Sequence, residues 1–319
     1  MPRAVRFSEY GDVDVLTVAD VPRPEPASDQ VLVQVVAAGI NPGEIAIRSG
    51  MLHSRWPATF PSGQGSDLAG RVVAVGAAVT GFAPGDEVVG WSDVRSSHAE
   101  YVAVPAGQLV AKPLPLDWVR AGGLFVAGVT AFAAVQAVTL EPGQTVAVSG
   151  AAGGVGSLAV QLAREAGARV IGIASERNVD WLRSVRVTPV TYGGGLADRL
   201  RAAAPDGLDA FVDTFGGGYV DLAVEAGVPA DRIDTIIDYV AAQKYGVKMD
   251  GNAVGSSTEV LARMASLVAW GTIVMPVAAV YPLGLVREAY EELAKRHTRG
   301  KIVLMPGLPD AAGRQGPTA

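Results

Sequence analysis

Residues 145–177, TVAVSGAAGGVGSLAVQLAREAGARVIGIASER, decide the fold. Val146-Ala147-Val148 is an apolar run that enters a glycine cluster, Gly150-Ala151-Ala152-Gly153-Gly154-Val155-Gly156. A helical pattern follows at once, with Val155, Leu158, Ala159, Leu162, Ala163 and Ala166 recurring along one face. Arg169-Val170-Ile171-Gly172-Ile173 is a second β-rich run and completes a β-turn-α-β unit. In such a unit the backbone turns tightly, approaches a pyrophosphate closely and aims a helix N-terminus at its charge. Ala151, Gly153 and Gly156 fill the three fingerprint positions, with alanine at the first. A glycine turn in this strand-to-helix context predicts a dinucleotide site, where an isolated one would predict only a turn.

The rest of the chain bounds the possibilities. With 319 residues, 49% hydrophobic and 18% charged, it can bury a large core and form two domains. A net charge of −6, with no basic stripe interleaved with aromatics, argues against nucleic acid as a partner. Cysteine is absent, which removes disulfides, thiolate metal ligands and cysteine nucleophiles together. Two stretches, Ala121–Leu140 and Leu267–Val286, are free of charge and long enough to suggest membrane spans. The first carries Gly122, Gly123, Gly128, Thr130, Gln136 and Thr139, and the second is broken by Gly271, Pro276 and Pro282. Both read as buried segments. The opening MPRAVRFSEYG has no apolar signal core, so a cytoplasmic protein without membrane contact is expected.

Residues 1–20 alternate as a short hairpin would, and Pro22, Pro24 and Pro26 then interrupt any strand. Val31–Val36, Arg71–Val75, Glu87–Val89, Tyr101–Val104 and Leu109–Ala111 read as strands. From Asp117 helix and strand alternate, which signals a doubly wound parallel sheet. Pro189–Tyr192 and Asp209–Asp213 read as strands of that sheet, the latter ending in the turn Phe215-Gly216-Gly217-Gly218. Ile233–Val240 reads as another strand. A second β-rich signal spans Thr272–Val280, followed by a helix over Leu285–His297, a strand Lys301–Met305 and a loose tail Pro306–Ala319. The expected plan has a β-rich domain in residues 1–117, a Rossmann domain in 118–268, and a return to the first domain in 269–319.

Several blocks beyond the glycine turn carry a family resemblance. They are Gly39-Ile40-Asn41-Pro42, Gly65-Ser66-Asp67-Leu68-Ala69-Gly70, Ala83-Pro84-Gly85-Asp86-Glu87-Val88 and Ala99-Glu100-Tyr101-Val102-Ala103-Val104-Pro105. Gly128-Val129-Thr130-Ala131, Gly143-Gln144 and Gly300-Lys301-Ile302-Val303-Leu304 complete the set. Over nearly its whole length the chain resembles the zinc-free quinone oxidoreductase (zeta-crystallin-like) branch of the medium-chain dehydrogenase/reductase superfamily. The resemblance implies an α/β fold in which the Rossmann sheet is inserted into a β-rich GroES-like catalytic domain. In zinc alcohol dehydrogenases a cysteine stands where Asn41 stands, and a Gly-His-Glu triplet where Gly65-Ser66-Asp67 stands. With both ligands gone, and His53, His98 and His297 scattered, no metal site is expected.

The cofactor implied is NADPH. An acidic residue after the second strand would bind the ribose 2′-OH and repel a 2′-phosphate. Here Ala174-Ser175 occupies that place, followed by Glu176, Arg177 and Asn178. Glu176 favours NAD, whereas the hydroxyl and guanidinium favour the phosphate. By the resemblance, Tyr192 contacts the same phosphate, and Ala151, Ala152, Gly153, Gly154 and Val155 hold the pyrophosphate. Thr130 and Asn41 match positions near the nicotinamide, and Phe215 and Gly216 border its ribose.

The activity implied is metal-free hydride delivery to a quinone or a conjugated enone in a cleft between the domains. Related enoyl reductases place a tyrosine just after an Arg-x-Gly segment. This chain reads Arg48-Ser49-Gly50-Met51-Leu52-His53, without that tyrosine. Asn41 and Arg48 are the candidate catalytic residues, with His53 or water as other proton sources. Two other readings remain at this point: a reductase of an enoyl thioester or specialised biosynthetic alkene, and a nonenzymatic NADPH-binding protein. A homodimer is expected.

Overall fold

The computed structural model describes residues 1–317, in two units. The first comprises Met1–Val126, Ser257–Thr272 and the chain from Pro276 onward, and the second Ala127–Ser256 with Ile273–Met275. In chain order the strands are β1 (Arg3–Phe7), β2 (Thr17–Asp20), β3 (Gln30–Gly39), β4 (Ser62–Gly63), β5 (Asp67–Val75), β6 (Glu87–Trp91), β7 (Tyr101–Pro105) and β8 (Leu109–Ala111). The parallel set follows: β9 (Thr145–Val148), β10 (Arg169–Ala174), β11 (Thr188–Thr191), β12 (Ala210–Asp213) and β13 (Ile233–Thr235). The last two are β14 (Val277–Pro282) and β15 (Lys301–Met305). The helices that bear on the argument below begin with α1 (Pro42–Arg48), α2 (Trp118–Gly122), α3 (Phe125–Ala137) and α4 (Gly156–Glu165). After α5 (Val179–Ser184), α6 (Leu196–Ala203) and α7 (Tyr219–Glu225) come α8 (Tyr239–Tyr245), α9 (Asn252–Gly255), α10 (Thr258–Ala269) and α11 (Val286–Ala294).

In the first unit, a seven-stranded sheet runs β14-β15-β3-β5-β6-β8, with β7 also on β3. A three-stranded sheet, β2-β1-β4, completes its β structure. Strand β3 alternates: Val31, Val33 and Val35 turn into one core with Leu68, Val72, Val88, Val102 and Val104. Strands β14 and β15 pair in parallel although they lie close in the chain, because α11 bridges them and buries Val286, Ala289 and Tyr290. The far C-terminal part is thus built into the same sheet as β3, through Val303 opposite Gly39.

In the second unit all five strands are parallel, in the order β11-β10-β9-β12-β13. This is the doubly wound arrangement, with its order reversing at β9. Strands buried on both faces read as continuous apolar runs, and β9 and β12 are fully buried along their length. The core gathers Ile171, Ile173, Val190, Leu200, Phe211, Val220 and Ile233 from several elements.

Three expectations are corrected. The run Ile233–Val240 is strand only to Thr235, because Asp238 caps α8 by accepting from Ala241 N at 3.0 Å and turns the remaining apolar residues into a helix. Within Thr272–Val280 the strand begins only at Val277. Both backbone groups of Val274 instead pair with the Gln161 side chain, at 2.8 and 2.9 Å, and Pro276 follows. The tail is not loose over the described residues: Gln315 exchanges backbone hydrogen bonds with Val280, and Arg314 grips Glu292 through two nitrogens at 2.7 and 2.8 Å. Thr318 and Ala319 lie outside the described residues. No helix among the described residues is long and apolar enough to cross a membrane.

Candidate active site

The glycine turn connects β9 to α4. Gly150 has φ of +57°, a conformation that glycine adopts without strain. A Cβ at Gly156 would lie 2.2 Å from Gly150 O, so the helix enters hard against the turn. Ala151 is fully buried with its methyl facing the bare Cα of Gly172, and its N–H donates to Ile173 O at 3.0 Å. Gly153, Gly154 and Val155 stay half-exposed at the N-terminal end of α4. A narrow backbone turn at the positive end of a ten-residue helix fits a pyrophosphate.

Asp213, which was not singled out in the sequence, organises the neighbouring turn. Its carboxylate is fully buried at the end of β12. It accepts from Ser149 Oγ, from Phe215 N and Gly216 N at 3.1 and 2.9 Å, and from Thr235 Oγ1 at 2.8 Å. One side chain therefore joins the ends of β9, β12 and β13. It also fixes the Phe215-Gly216 turn beside Gly150, whose added Cβ would sit 3.3 Å from Phe215 Cβ. The signal was legible in retrospect: an acid closing an apolar strand, with Ser149 closing its neighbour. Thr130 is buried on α3, where the bare Cα of Gly251 leaves a would-be Cβ 3.9 Å from its methyl.

At the end of β10, Asn178 Nδ2 donates to Ser175 Oγ at 2.9 Å. The parallel register sets Ala174 opposite Thr191, which brings Tyr192 beside Ser175. Arg177 is exposed, with no hydrogen bond or ion pair among the described residues, and Tyr192 is 49% exposed. The Ser175 hydroxyl and the Tyr192 backbone thus lie at this strand end, with Arg177 two residues after Ser175.

The first unit holds a different polar cluster, and it is buried. Asn41 precedes α1; Glu44, three residues on, reaches back to Asn41 N at 2.9 Å. The amide of Asn41 is then fully spent. Its Nδ2 donates to Glu44 Oε1 at 3.3 Å and Asp67 Oδ2 at 3.2 Å, and its Oδ1 accepts from Lys301 Nζ at 2.5 Å. Lys301 also donates to Ile40 O and pairs with Asp67, both at 3.0 Å, which uses all three of its hydrogens. Glu44 accepts further from Ser66 N and from Tyr290 OH, and Gln64 donates to that hydroxyl at 3.0 Å. Burial, then the neighbouring Glu44 carboxylate, holds the Tyr290 phenol well above its usual range.

This geometry revises the roles expected of two candidates. Asn41 has no hydrogen left to donate, so it can position neighbours but not polarise a carbonyl. Arg48 is 1% exposed, with its guanidinium 4.9 Å over the Tyr290 ring and Asp12 at 3.8 Å. A cation so enclosed cannot meet a substrate. Burial lowers its pKa from the ordinary value, with the Tyr290, Asp12 and Glu44 charges opposing. His98 is also buried, its Nε2 3.1 Å from Gly39 O, while His53 is exposed.

Residues 27–114 match the alcohol dehydrogenase GroES-like domain family, and residues 186–304 match the zinc-binding dehydrogenase family. The NADPH-dependent alkenal/one oxidoreductase of Arabidopsis thaliana chloroplasts is 30% identical over 314 residues, covering 94% of this chain and 78% of the relative. The quinone oxidoreductase of Homo sapiens is 28% identical over 324 residues, covering 95% and 97% of the two chains. The chain belongs to the quinone oxidoreductase branch of the medium-chain dehydrogenase/reductase superfamily. The structure of the quinone oxidoreductase from Coxiella burnetii superposes with a TM-score of 0.85 at 28% identity, over 95% of this chain and 99% of that one. In this chain an ammonium, Lys301, sits between Asn41 and Asp67. No three histidine, aspartate or glutamate side chains come together as metal ligands among the described residues.

Proposed function

We propose that this chain is an NADPH-dependent reductase that passes hydride, without a metal, to a quinone or to a C=C bond conjugated with a carbonyl. The glycine turn carries the reading, since the bare Cα of Gly156 lets α4 enter hard against Gly150 and so brings the positive end of the helix to the turn. Bound NADPH would supply the hydride. Ala151, Ala152, Gly153, Gly154 and Val155 would hold its pyrophosphate, and Ser175, Arg177, Asn178 and Tyr192 its 2′-phosphate. Thr130, Phe215 and Gly216 would border the nicotinamide end. The substrate becomes negative at oxygen as its β-carbon accepts hydride, so the protein must offer a hydrogen-bond donor there. Asn41 serves by holding Glu44, Asp67 and Lys301 in register. Asn41→Ala should accordingly reduce turnover more than NADPH affinity.

The assay is NADPH oxidation with a panel of quinones, enones and enoyl thioesters. Deuterium from C4-labelled NADPH should appear on the β-carbon of a reduced enone, and chelators should leave turnover unchanged. Tight NADPH binding with no oxidation by any acceptor would leave a nonenzymatic cofactor-binding protein. We also propose a cytoplasmic homodimer, which light scattering at low micromolar concentration tests.

A further inference from the structure

Strand β11 and Tyr192 run straight into three consecutive glycines, Gly193-Gly194-Gly195, before α6 begins at Leu196. Gly193 and Gly195 have φ of +103° and +75°, and a Cβ at Gly193 or Gly194 would meet nothing within 4 Å. Glycine has more backbone freedom than any other residue, and these bring no side chains to pack. Nothing local therefore fixes the end of the strand. Tyr192, half-exposed at that end, is nevertheless one of the residues proposed above to hold the 2′-phosphate.

Arg199, the fourth residue of α6, supplies what the glycines lack. Its Nε and Nη2 both donate to Thr191 O, at 3.0 and 2.7 Å. Nη1 donates to Gly194 O at 2.7 Å, and Nη2 also reaches Gly193 O at 3.4 Å. The Thr191–Tyr192 peptide is thus held at both ends, its carbonyl by Arg199 and its N–H by Ala174 O of β10 at 3.2 Å. A peptide unit is planar, so fixing its C=O and N–H fixes the base from which the Tyr192 side chain departs. The guanidinium is committed to this task. Asp198 beside it pairs with Arg201 at 2.7 Å, and no carboxylate pairs with Arg199 among the described residues. A planar fork of N–H donors serves several carbonyls at fixed angles, which a lysine ammonium does not.

We infer that Arg199 is a positioning residue for the choice of cofactor: by clamping the glycine segment it holds Tyr192 where the phenol meets a 2′-phosphate. The inference rests on the NADPH reading above. It lies wholly within the second unit, and Arg199 itself touches only the backbone of its own segment. With the clamp gone, the glycine segment has to be ordered each time the phosphate binds, which weakens NADPH. NADH carries no phosphate there and makes no demand on Tyr192.

The test is calorimetry of NADPH and NADH on the full chain, for the parent, Arg199→Met, Arg199→Lys, Tyr192→Phe and the Arg199→Met/Tyr192→Phe pair. Arg199→Met should lower NADPH affinity by about 5- to 20-fold, part of the worth of one hydrogen bond to a charged group, with NADH affinity unchanged. Arg199→Lys keeps the charge but loses the fork, and should lose nearly as much. It also carries the comparison if the methionine variant does not fold. In the pair, the second change should add little to the first, because both act through one hydroxyl. An Arg199→Lys variant that binds NADPH as the parent does overturns the inference. So does an equal loss of both cofactors in Arg199→Met, or losses that multiply in the pair, and each of these leaves the NADPH reading standing. A parent that binds NADPH no more tightly than NADH overturns that reading, and the inference falls with it.

Discussion

Arg177 and Asp234 show how much a single side chain decides. Arg177 spends nothing on internal contacts, so its charge is available to a 2′-phosphate beside Ser175 and Tyr192. Arg177→Ala should weaken NADPH binding by about 5- to 100-fold, the scale of one lost charge-assisted hydrogen bond, and leave NADH nearly unaffected. Calorimetry on both cofactors measures the difference directly. Asp234 is fully buried on β13, with Oδ1 accepting from Asp250 N at 2.6 Å and Oδ2 unpaired. Burial pushes its carboxyl from 3.8 up to about 7, helped by the charges of Asp250 and Asp213, while the Asp250 N–H and Lys248 pull the other way. Between those two values the folded chain keeps a proton that the unfolded chain releases. Stability therefore falls as pH rises through that window. Asp234→Asn should flatten the slope and, at pH 8, exceed the parent's stability by roughly 1–4 kcal/mol. Urea unfolding at pH 5 and pH 8 gives both numbers.

Among elements, the β9-turn-α4 unit was the most legible. Its apolar run, glycine cluster and helical spacing all lie within 33 consecutive residues, 145–177, so local rules suffice to read it. The strand-to-helix closeness at Gly156 is equally local. Gly156→Ala would set a methyl 2.2 Å from Gly150 O and 2.8 Å from Gly150 C, both backbone atoms that cannot swing away. A loss of about 2–4 kcal/mol is expected, with weaker NADPH binding, and chemical denaturation plus a cofactor titration would reveal it. The stretch after β13 was misread for a physical reason. Ile236, Ile237, Tyr239 and Val240 have strand-like composition, but Asp238 caps a helix in their midst. Side-chain capping competes with propensity, and one aspartate outweighed four apolar residues. At Val274 the competitor was remote, since Gln161 stands 113 positions away in the chain.

At the scale of the whole molecule, the first unit is assembled from separate stretches, and Lys301 ties them. Its ammonium bonds the end of β3, Asn41 ahead of α1, and Asp67 at the start of β5. Lys301→Met would leave Asp67 buried with its counter-charge gone. We expect a loss of about 3–5 kcal/mol, read from urea unfolding, and partial recovery in the Asp67→Asn/Lys301→Met pair. Recovery in the double variant separates an unpaired charge from lost packing, which the second change could not mend.

The sequence by itself determined the dinucleotide unit, most strand positions and the loss of the zinc ligands, because each depends on residue type over a short span. It also marked Asn41 and, more weakly, Arg48 as catalytic candidates, with His53 as another proton source, yet it could not say which of their polar atoms are already spent. Only the tertiary structure decided that Asn41 is saturated by Glu44, Asp67 and Lys301, that Arg48 is shut against Tyr290, and that Tyr10 holds His53. A side chain's donors are free or spent according to partners brought from distant parts of the chain. Those partners are set by how sheets and helices pack, which no local spacing records.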